Sequence, residues 1–423
     1  MNKRHICFFV LLIATCQLSV VNSLIAAEPK PVKYKTLLAE AKAAIKSGKN
    51  QAKAAQNLLG IVNREDIKKD QRAEIYYMAE ELERSINEAE NRKNYLRQPY
   101  DTVKFFSTIL NMYAYLLRCD SLEQIPNEKG ELRYRYRGRG RDILLAYRSN
   151  LLNGGKFLLK RNRYAESYPY FDMYIESARR PVFEYYSSIR KDTLLARAAY
   201  WATVAAYNDN QPRRTLSHID EAIEGADSTL RVSLQEYKVR CYEVLKEDSL
   251  WLENLILGAR LYPQHDYFFL HLMDVYVENQ RYADGLALCD SMLVRAGDRA
   301  LYHYGRSRML LGLQDYDGCI AATDKALQLD TTMIEAYYNK GVAYLNKAVA
   351  FAETACNDIR NPKCKRDRET LSQLYRAALD PMEHVRRQMP DDEKRWASPL
   401  YRIYLNLNMG KEFAEMERIL NAQ

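Results

Sequence analysis

Apolar and small residues recur along the second half of this chain at helical spacing, and the helices themselves recur at a fixed longer step. Between residues 334 and 344, Tyr337, Gly341 and Tyr344 fall four and three apart, on one face of a helix. In the preceding stretch, Cys319, Ile320, Thr323, Ala326 and Leu327 make the inner face of a second helix, separated from the one before it by a Leu-Gln-Asp-Tyr-Asp turn. The same positions return every 34 residues. Tyr242, Tyr276, Leu310 and Tyr344 form one register, and Val239, Met273, Ser307 and Gly341 another. Trp251, Gly285 and Cys319, then Leu255, Cys289 and Thr323, then Gly258, Met292 and Ala326, mark the second helix of each unit, and Pro263, Gly297 and Thr331 close it. Neither helix of a unit can bury its stripe alone, so neighbouring units must stack. The expected fold is all-α: a helix-turn-helix repeat solenoid.

The same analysis extends outward from this block. Residues 153–175 repeat the pattern, with Gly155 at the helix contact, Tyr164 at the turn, and Phe171 and Tyr174 on the second helix. Residues 193–207 and 213–226 make a unit in looser register, with Trp201, Val204, Ala205, Leu216, Ile219 and Ile223 as its core. Upstream, helices are expected at 34–47, 51–62, 68–91 and 100–118, the last with Phe105, Phe106, Ile109, Met112, Tyr113 and Leu116 facing inward. A break at 119–141 carries the turn signal of Pro126 to Gly130 and reads as an exposed basic loop, with the next helix starting at 142. Residues 180–193 read as a connection. After Thr331 the closing proline arrives 25 residues late, at Pro390, so an insertion lies around 345–370: a longer first helix, a loop over 357–366, and a second helix resuming at 371. Helices at 396–408, with Pro399 near its start, and 411–421 complete the array. The domain organisation is therefore 1–27, 28–120, 121–141 and 142–423.

These residues resemble the tetratricopeptide repeat, whose pattern is an aromatic, Leu-Gly and Tyr followed by Ala, Phe or Tyr, and Pro. The resemblance covers residues 232–344 and 153–175. His303 and Arg306 depart from it, standing where an aromatic and Leu are usual. It implies that the first helix of each repeat presents a binding surface for a peptide or protein. Carried onto this chain, that surface runs through Glu236, Arg240, Glu243, Leu270, Asp274, Val277, Tyr304, Arg308, Leu311, Tyr338, Val342 and Leu345, with Arg240, Asp274, Tyr304, Arg308 and Tyr338 as the partner-binding candidates. The same positions could equally contact only water or the next repeat.

Composition narrows the setting. Thirty-three tyrosines against 11 phenylalanines suit stacked helices, since a tyrosine ring packs while its hydroxyl reaches a polar edge. The first 27 residues have a basic start, an apolar stretch from Ile6 to Val21 too short to span a bilayer, and small residues at Ala27, with a second cleavage site at Ser23. They are expected to be a signal peptide, sending the chain to the periplasm or cell envelope. Cys16 sits in a loose lipobox, the lipoprotein alternative. Cleavage removes Lys3 and Arg4 and no acid, taking the net charge from +8 to +6. That mild, mixed charge points to no nucleic-acid partner, and no later stretch is apolar enough to span a membrane.

The remaining chemistry is sparse. Arg133, Arg135, Arg137, Arg139 and Arg141 alternate with tyrosines and glycines, an arrangement suited to an anion, such as an anionic envelope polymer, or to pairing with the chain's own Glu128 and Glu131. Cys356 and Cys364 flank the insertion loop and are a disulfide candidate in an exported protein. Cys241, Cys289 and Cys319 fall at packing positions. The six histidines form no paired ligand motif, and no phosphate loop or nucleophile elbow occurs, so no catalysis, metal or cofactor is expected. The function expected is a protein-interaction scaffold. The alternative is a helical-repeat protein that binds a glycan or anionic polymer.

Overall fold

The computed structural model describes residues 32–356 and 360–422, so the expected signal peptide, Cys16 and the two expected cleavage sites lie outside the described residues. Among the described residues there are nineteen α-helices and no strand. The chain divides into two compact units, one ending at Arg148 and one from Ser149 onward.

The first unit holds α1 (Tyr34–Ser47), α2 (Gln51–Gly60), α3 (Lys69–Tyr95), α4 (Thr102–Glu123) and the start of α5 (Arg137–Leu159). Gly48 stops α1 in the left-handed region, at φ 67°, and its N–H bonds the Ala44 carbonyl. Leu37, Ala41, Leu58, Ile75 and Leu82 form the core of α1 to α3. Between α3 and α4, Ile109, Met112, Tyr113 and Leu116 are buried as expected. Phe105 and Phe106 are only half-buried, and they pack edge to face with centroids 5.2 Å apart. The basic run is not a loop throughout. Helix α5 starts at Arg137 rather than at 142, because Glu123 supplies its N-terminal acceptor.

The second unit takes the rest of α5 and then α6 (Tyr164–Ala178), α7 (Ser187–Arg190), α8 (Leu195–Asn208), α9 (Pro212–Gly225), α10 (Ser228–Leu245), α11 (Asp248–Leu261), α12 (Asp266–Glu278), α13 (Tyr282–Ala296), α14 (Ala300–Gly312), α15 (Tyr316–Leu329), α16 (Ile334–Thr354), α17 (Pro362–Gln388), α18 (Glu393–Asn406) and α19 (Gly410–Asn421). From α8 on, each helix packs against the next, so they pair into units with a first (A) helix at even number and a second (B) helix at odd number. Helices α12, α14 and α16 start at Asp266, Ala300 and Ile334, one 34-residue step apart, as do α11, α13 and α15. Further contacts join α12 to α14, α14 to α16 and α16 to α18, placing those A helices side by side.

Six helix pairs share one turn, and α16–α17 is not among them. Asn162, Asn210, Lys246, Gln280, Gln314 and Asn408 all have φ between 54° and 61°; Asn162 stands two residues before α6, the partner of α5, and each of the others two residues before a B helix. The following N–H reaches back to the A helix: Glu247 to Tyr242 O at 3.0 Å, Arg281 to Tyr276 O at 2.8 Å, Asp315 to Leu310 O at 2.9 Å. This is the Schellman cap, which satisfies carbonyls that a helix end otherwise orphans. The register of Tyr242, Tyr276 and Leu310 is thus the row of residues whose carbonyls close each hairpin.

Packing follows the expected register. A Cβ at Gly155 would sit 2.6 Å from the Phe171 ring, so only glycine allows that approach. Cys241, Cys289 and Cys319 are buried, and burial raises their thiol pKa values to about 11, about 12 and about 12. The departures at 303 and 306 do not disturb the core, because Tyr302 is the buried aromatic of α14. His303 bonds Asp298 at 2.5 Å and Arg306 bonds Asp290 at 2.9 Å instead.

Four details differ from expectation. The connection after α6 contains a 3₁₀ turn, Pro181–Phe183, whose Val182 and Phe183 are buried and so belong to the core. In the α8–α9 unit, alanines carry the interior: Ala198, Ala199, Ala202, Ala205 and Ala206 are buried with Ile219 and Ala222, whereas Trp201, Val204, Leu216 and Ile223 are half-buried. Pro399 lies well inside α18, which starts earlier than expected. The second helix of the insertion begins at Pro362, not 371, with Asn361 capping it through Lys363 N–H at 2.9 Å.

Candidate partner-binding face

Three tyrosines, one each on α12, α14 and α16, stand in groups of like composition drawn from neighbouring A helices. Each group has a tyrosine, an arginine over its ring, and a carboxylate paired with that arginine. On α12, Tyr267 lies under Arg240 of α10, with 4.8 Å from the guanidinium carbon to the ring centroid, and Arg240 bonds Glu236 Oε1 at 2.6 Å and 2.9 Å. On α14, Tyr304 lies under Arg308 at 5.9 Å, and Arg308 bonds Asp274 of α12 at 2.9 Å. On α16, Tyr338 lies under Arg395 of α18 at 4.6 Å, and Arg395 approaches Glu335 at 3.8 Å. A cation over an aromatic face within about 6 Å is attracted by the ring quadrupole.

All five expected partner-binding residues therefore sit in these groups: Arg240 in the first, Asp274, Tyr304 and Arg308 in the second, Tyr338 in the third. The register made Tyr304 and Tyr338 equivalent, and likewise Arg240, Asp274 and Arg308. It missed Tyr267, which stands one helical turn short of the tyrosine register. It also missed Arg395, which the insertion pushes out of step. Leu345 does not line the face; it is buried, 5% exposed, against α17.

The electrostatics are local and balanced. Burial tends to raise the Glu236 carboxyl, but hydrogen bonds from His265 and Arg240 outweigh it and hold the group below its usual range. His265 is 2.9 Å from Glu236 Oε2. Burial raises the Tyr304 phenol, and Arg308, Glu335, Arg395 and Asp274 are all near enough to bias it. Next to the first group, Tyr207 and Tyr237 stack at 3.8 Å. A cavity of about 270 Å³ opens there between Tyr207, Pro212, Arg240 and the exposed Val244. A separate cleft of about 580 Å³ lies at the end of α6, where Glu184 and Glu221 both contribute; Glu221 is held by Arg179 at 2.8 Å.

The basic run of the first unit is turned largely on the protein itself. The Glu123 carboxylate accepts the backbone N–H groups of Arg135, Tyr136 and Arg137 at 2.7, 2.8 and 3.0 Å, filling the N-terminus of α5. Arg137 pairs with Asp120 at 3.4 Å, Arg139 with Glu81 at 3.8 Å, Arg133 with Glu131 at 3.4 Å and Arg141 with Asp142 at 3.1 Å. Arg135 is exposed and lies beside the Tyr136 ring. Of the acids expected to pair with this run, Glu131 does so; Glu123, Asp120 and Glu81 come from helices that only folding brings near.

Cys356 and Cys364 are not bridged in this structure. Cys364 is buried on α17, and the Cys356 N–H bonds Asp367 at 2.8 Å, so a hydrogen bond closes the loop where a disulfide was expected. Among the described residues, no group of three or more His, Cys, Asp or Glu is placed to hold a metal ion, and no helix is long and apolar enough to cross a membrane.

No protein-family model matches the chain, and no curated protein matches it. Its structural neighbours are solved tetratricopeptide-repeat proteins. The C-terminal part of a TPR repeat-containing protein from Cytophaga hutchinsonii is 12% identical with a TM-score of 0.34, covering 62% of this chain and 97% of that one. A TPR repeats protein from Bacteroides fragilis is 13% identical at 0.31, covering 64% and 98%. The TPR2AB-domain–pHSP90 complex of yeast Sti1 is 13% identical at 0.24, covering 75% and 96%. What makes this chain a helix-pair array is its own 34-residue register and repeated turn.

Proposed function

We propose that this protein is a non-catalytic scaffold of the bacterial envelope, exported by its first 27 residues, that holds a protein partner across the A-helix face. The observation that carries this reading is that Tyr267, Tyr304 and Tyr338, one on each of α12, α14 and α16 and all only half-buried, each have an arginine over the ring and a carboxylate beside that arginine. Aromatic and arginine side chains dominate binding hot spots because they bring large, rigid contact areas and several hydrogen-bond donors. Here they are already held in place by one another, so little side-chain freedom is lost on binding.

The test is site-specific photocrosslinking in native cells. A photoreactive residue replaces Tyr338 or Asp274 on the face, or Val294, which is 87% exposed on a B helix. One stoichiometric protein adduct from the face positions and none from Val294 supports the reading. Absence of a protein adduct at the face overturns it. Glycan arrays then follow, since a glycan or anionic polymer is the competing ligand class. Fractionation with and without a Cys16→Ser substitution separates a soluble periplasmic protein from a lipid-anchored one.

A further inference from the structure

The turn that joins α3 to α4 carries two apolar side chains that the fold leaves uncovered. Tyr95, the last residue of α3, is 86% exposed, and Leu96 beside it is 55% exposed. Pro99 and Val103 are exposed in the same turn and at the start of α4. Around this apex the cations are exposed and the carboxylates are engaged. From residue 91 to residue 104 the basic side chains are Arg92, Lys93, Arg97 and Lys104, against Asp101 alone. Arg92 and Arg97 pair with no carboxylate among the described residues. Lys93 and Lys104 both approach Oε1 of the buried Glu90, at 3.0 and 3.6 Å. Glu90 Oε2 accepts the Asp101 N–H at 3.1 Å, and the Asp101 side chain caps α4 through the Lys104 N–H at 2.9 Å.

The N–H groups at the apex are already bonded. Leu96 N–H reaches Arg92 O at 3.0 Å, Arg97 N–H reaches Asn94 O at 3.0 Å, and Gln98 N–H reaches Lys93 O at 2.9 Å. Arg97 stands at φ 57° in this turn, and Pro99 has no N–H to satisfy. A bare N–H would make entry into an apolar layer costly, and this turn presents none from 96 to 99.

Shape and charge decide the occupant. A specific protein interface buries about 800 Å² on each partner, more than a tyrosine and a leucine at one turn supply. A bilayer needs no matching surface. Its interface takes up tyrosine at headgroup level and aliphatic side chains at the boundary with the acyl chains. Anionic lipids attract exposed arginines that come within a Debye length. We infer that the α3–α4 turn is a membrane-surface contact: Tyr95 and Leu96 enter the headgroup boundary of a bilayer that carries anionic lipids, and Arg92 and Arg97 bind the lipid phosphates. The turn belongs to the first unit and the A-helix face to the second, so the inference does not rest on the scaffold reading.

The test is fluorescence quenching by vesicles of equal parts phosphatidylcholine and phosphatidylglycerol with brominated acyl chains. In the full chain, Tyr95→Trp puts a reporter at the apex, and Tyr185→Trp puts one at an equally exposed tyrosine of the second unit. The emission added by Tyr95→Trp is quenched, and that added by Tyr185→Trp is not. With the reporter at 95, Arg92→Gln and Arg97→Asn each raise the lipid concentration for half-quenching about fivefold. Asparagine is chosen at 97 because it tolerates the left-handed backbone. Leu96→Ser raises that concentration about tenfold. Vesicles of phosphatidylcholine alone, and high salt, also weaken the quenching. Those two comparisons use one protein, so they do not depend on how the further variants fold. Quenching at 95 is local, so an anchor elsewhere in the chain does not imitate it. The inference is overturned if residue 95 is not quenched, if residue 185 is quenched as strongly, or if neutral vesicles quench equally. A photocrosslink from residue 95 to a protein in native cells, without quenching by vesicles, would also overturn it and assign the apex to a protein partner. None of these outcomes alters the crosslinks from the A-helix face that test the scaffold reading.

Discussion

Arg308 reaches back from α14 to Asp274 on α12 at 2.9 Å, and the two residues are one 34-residue step apart. Equivalent positions in successive repeats thus meet across the A-helix face, where they carry opposite charge. Asp274 is about half exposed, so solvent screens the pair. Arg308→Ala should therefore lower stability by no more than about 1 kcal/mol. Its effect on partner crosslinking should be much larger. Urea denaturation and crosslink yield, measured on the same variant, separate the two roles.

The Glu123 carboxylate sits where an external anion would otherwise dock, at the N-terminus of α5. It is 5% exposed and accepts three backbone N–H groups. Removing it leaves those donors without their acceptor. Glu123→Ala should destabilise the first unit by about 2 kcal/mol. It should also speed amide exchange at Arg135, Tyr136 and Arg137 more than elsewhere in α5. Uniform exchange along the helix would count against Glu123 as its cap.

Glu80 is fully buried on α3, and one of its oxygens has no hydrogen-bond partner. Burial raises its pKa to about 7, against the opposing pull of Arg84 at 3.0 Å and, more weakly, Arg139; Glu81 adds to the rise. The folded state therefore holds the proton more tightly than the unfolded chain. Stability contributed by the protonated form is full below about pH 4.5 and is lost as pH rises towards 7. Glu80→Gln cannot ionise, so its stability relative to the unaltered protein should improve between pH 5 and pH 8, by up to about 3 kcal/mol. Urea titrations of both proteins at the two pH values give this difference, and a constant offset would rule out titration of Glu80 in this range.

Gln280 has φ 54° and no glycine's freedom to be there. Its N–H still bonds Val277 O at 3.0 Å, so the cap needs the left-handed backbone and not the glutamine side chain. Gln280→Gly should stabilise the second unit by about 0.5–1 kcal/mol, since relief of strain exceeds the added freedom of the unfolded chain. Gln280→Val should destabilise it, because a β-branched residue is poorly tolerated at positive φ. Paired thermal melts of the two variants give the signs.

The sequence by itself determined the helix pairs. Their 34-residue step, the packing of Gly155 against Phe171 and the burial of Cys289 and Cys319 all follow from local periodicity, because a helix places residues three and four apart on one face. The expectation that Arg240, Asp274, Tyr304, Arg308 and Tyr338 face a partner came from the tetratricopeptide resemblance and not from the periodicity itself. Only the tertiary structure decided which of those residues meet. Tyr267 takes its cation from α10, Tyr338 from α18 across an insertion that breaks the register, and Glu123 ends a break in the pattern by capping α5. Such contacts join residues on different helices, at sequence separations set by loop lengths and helix crossings, and no short-range period encodes them.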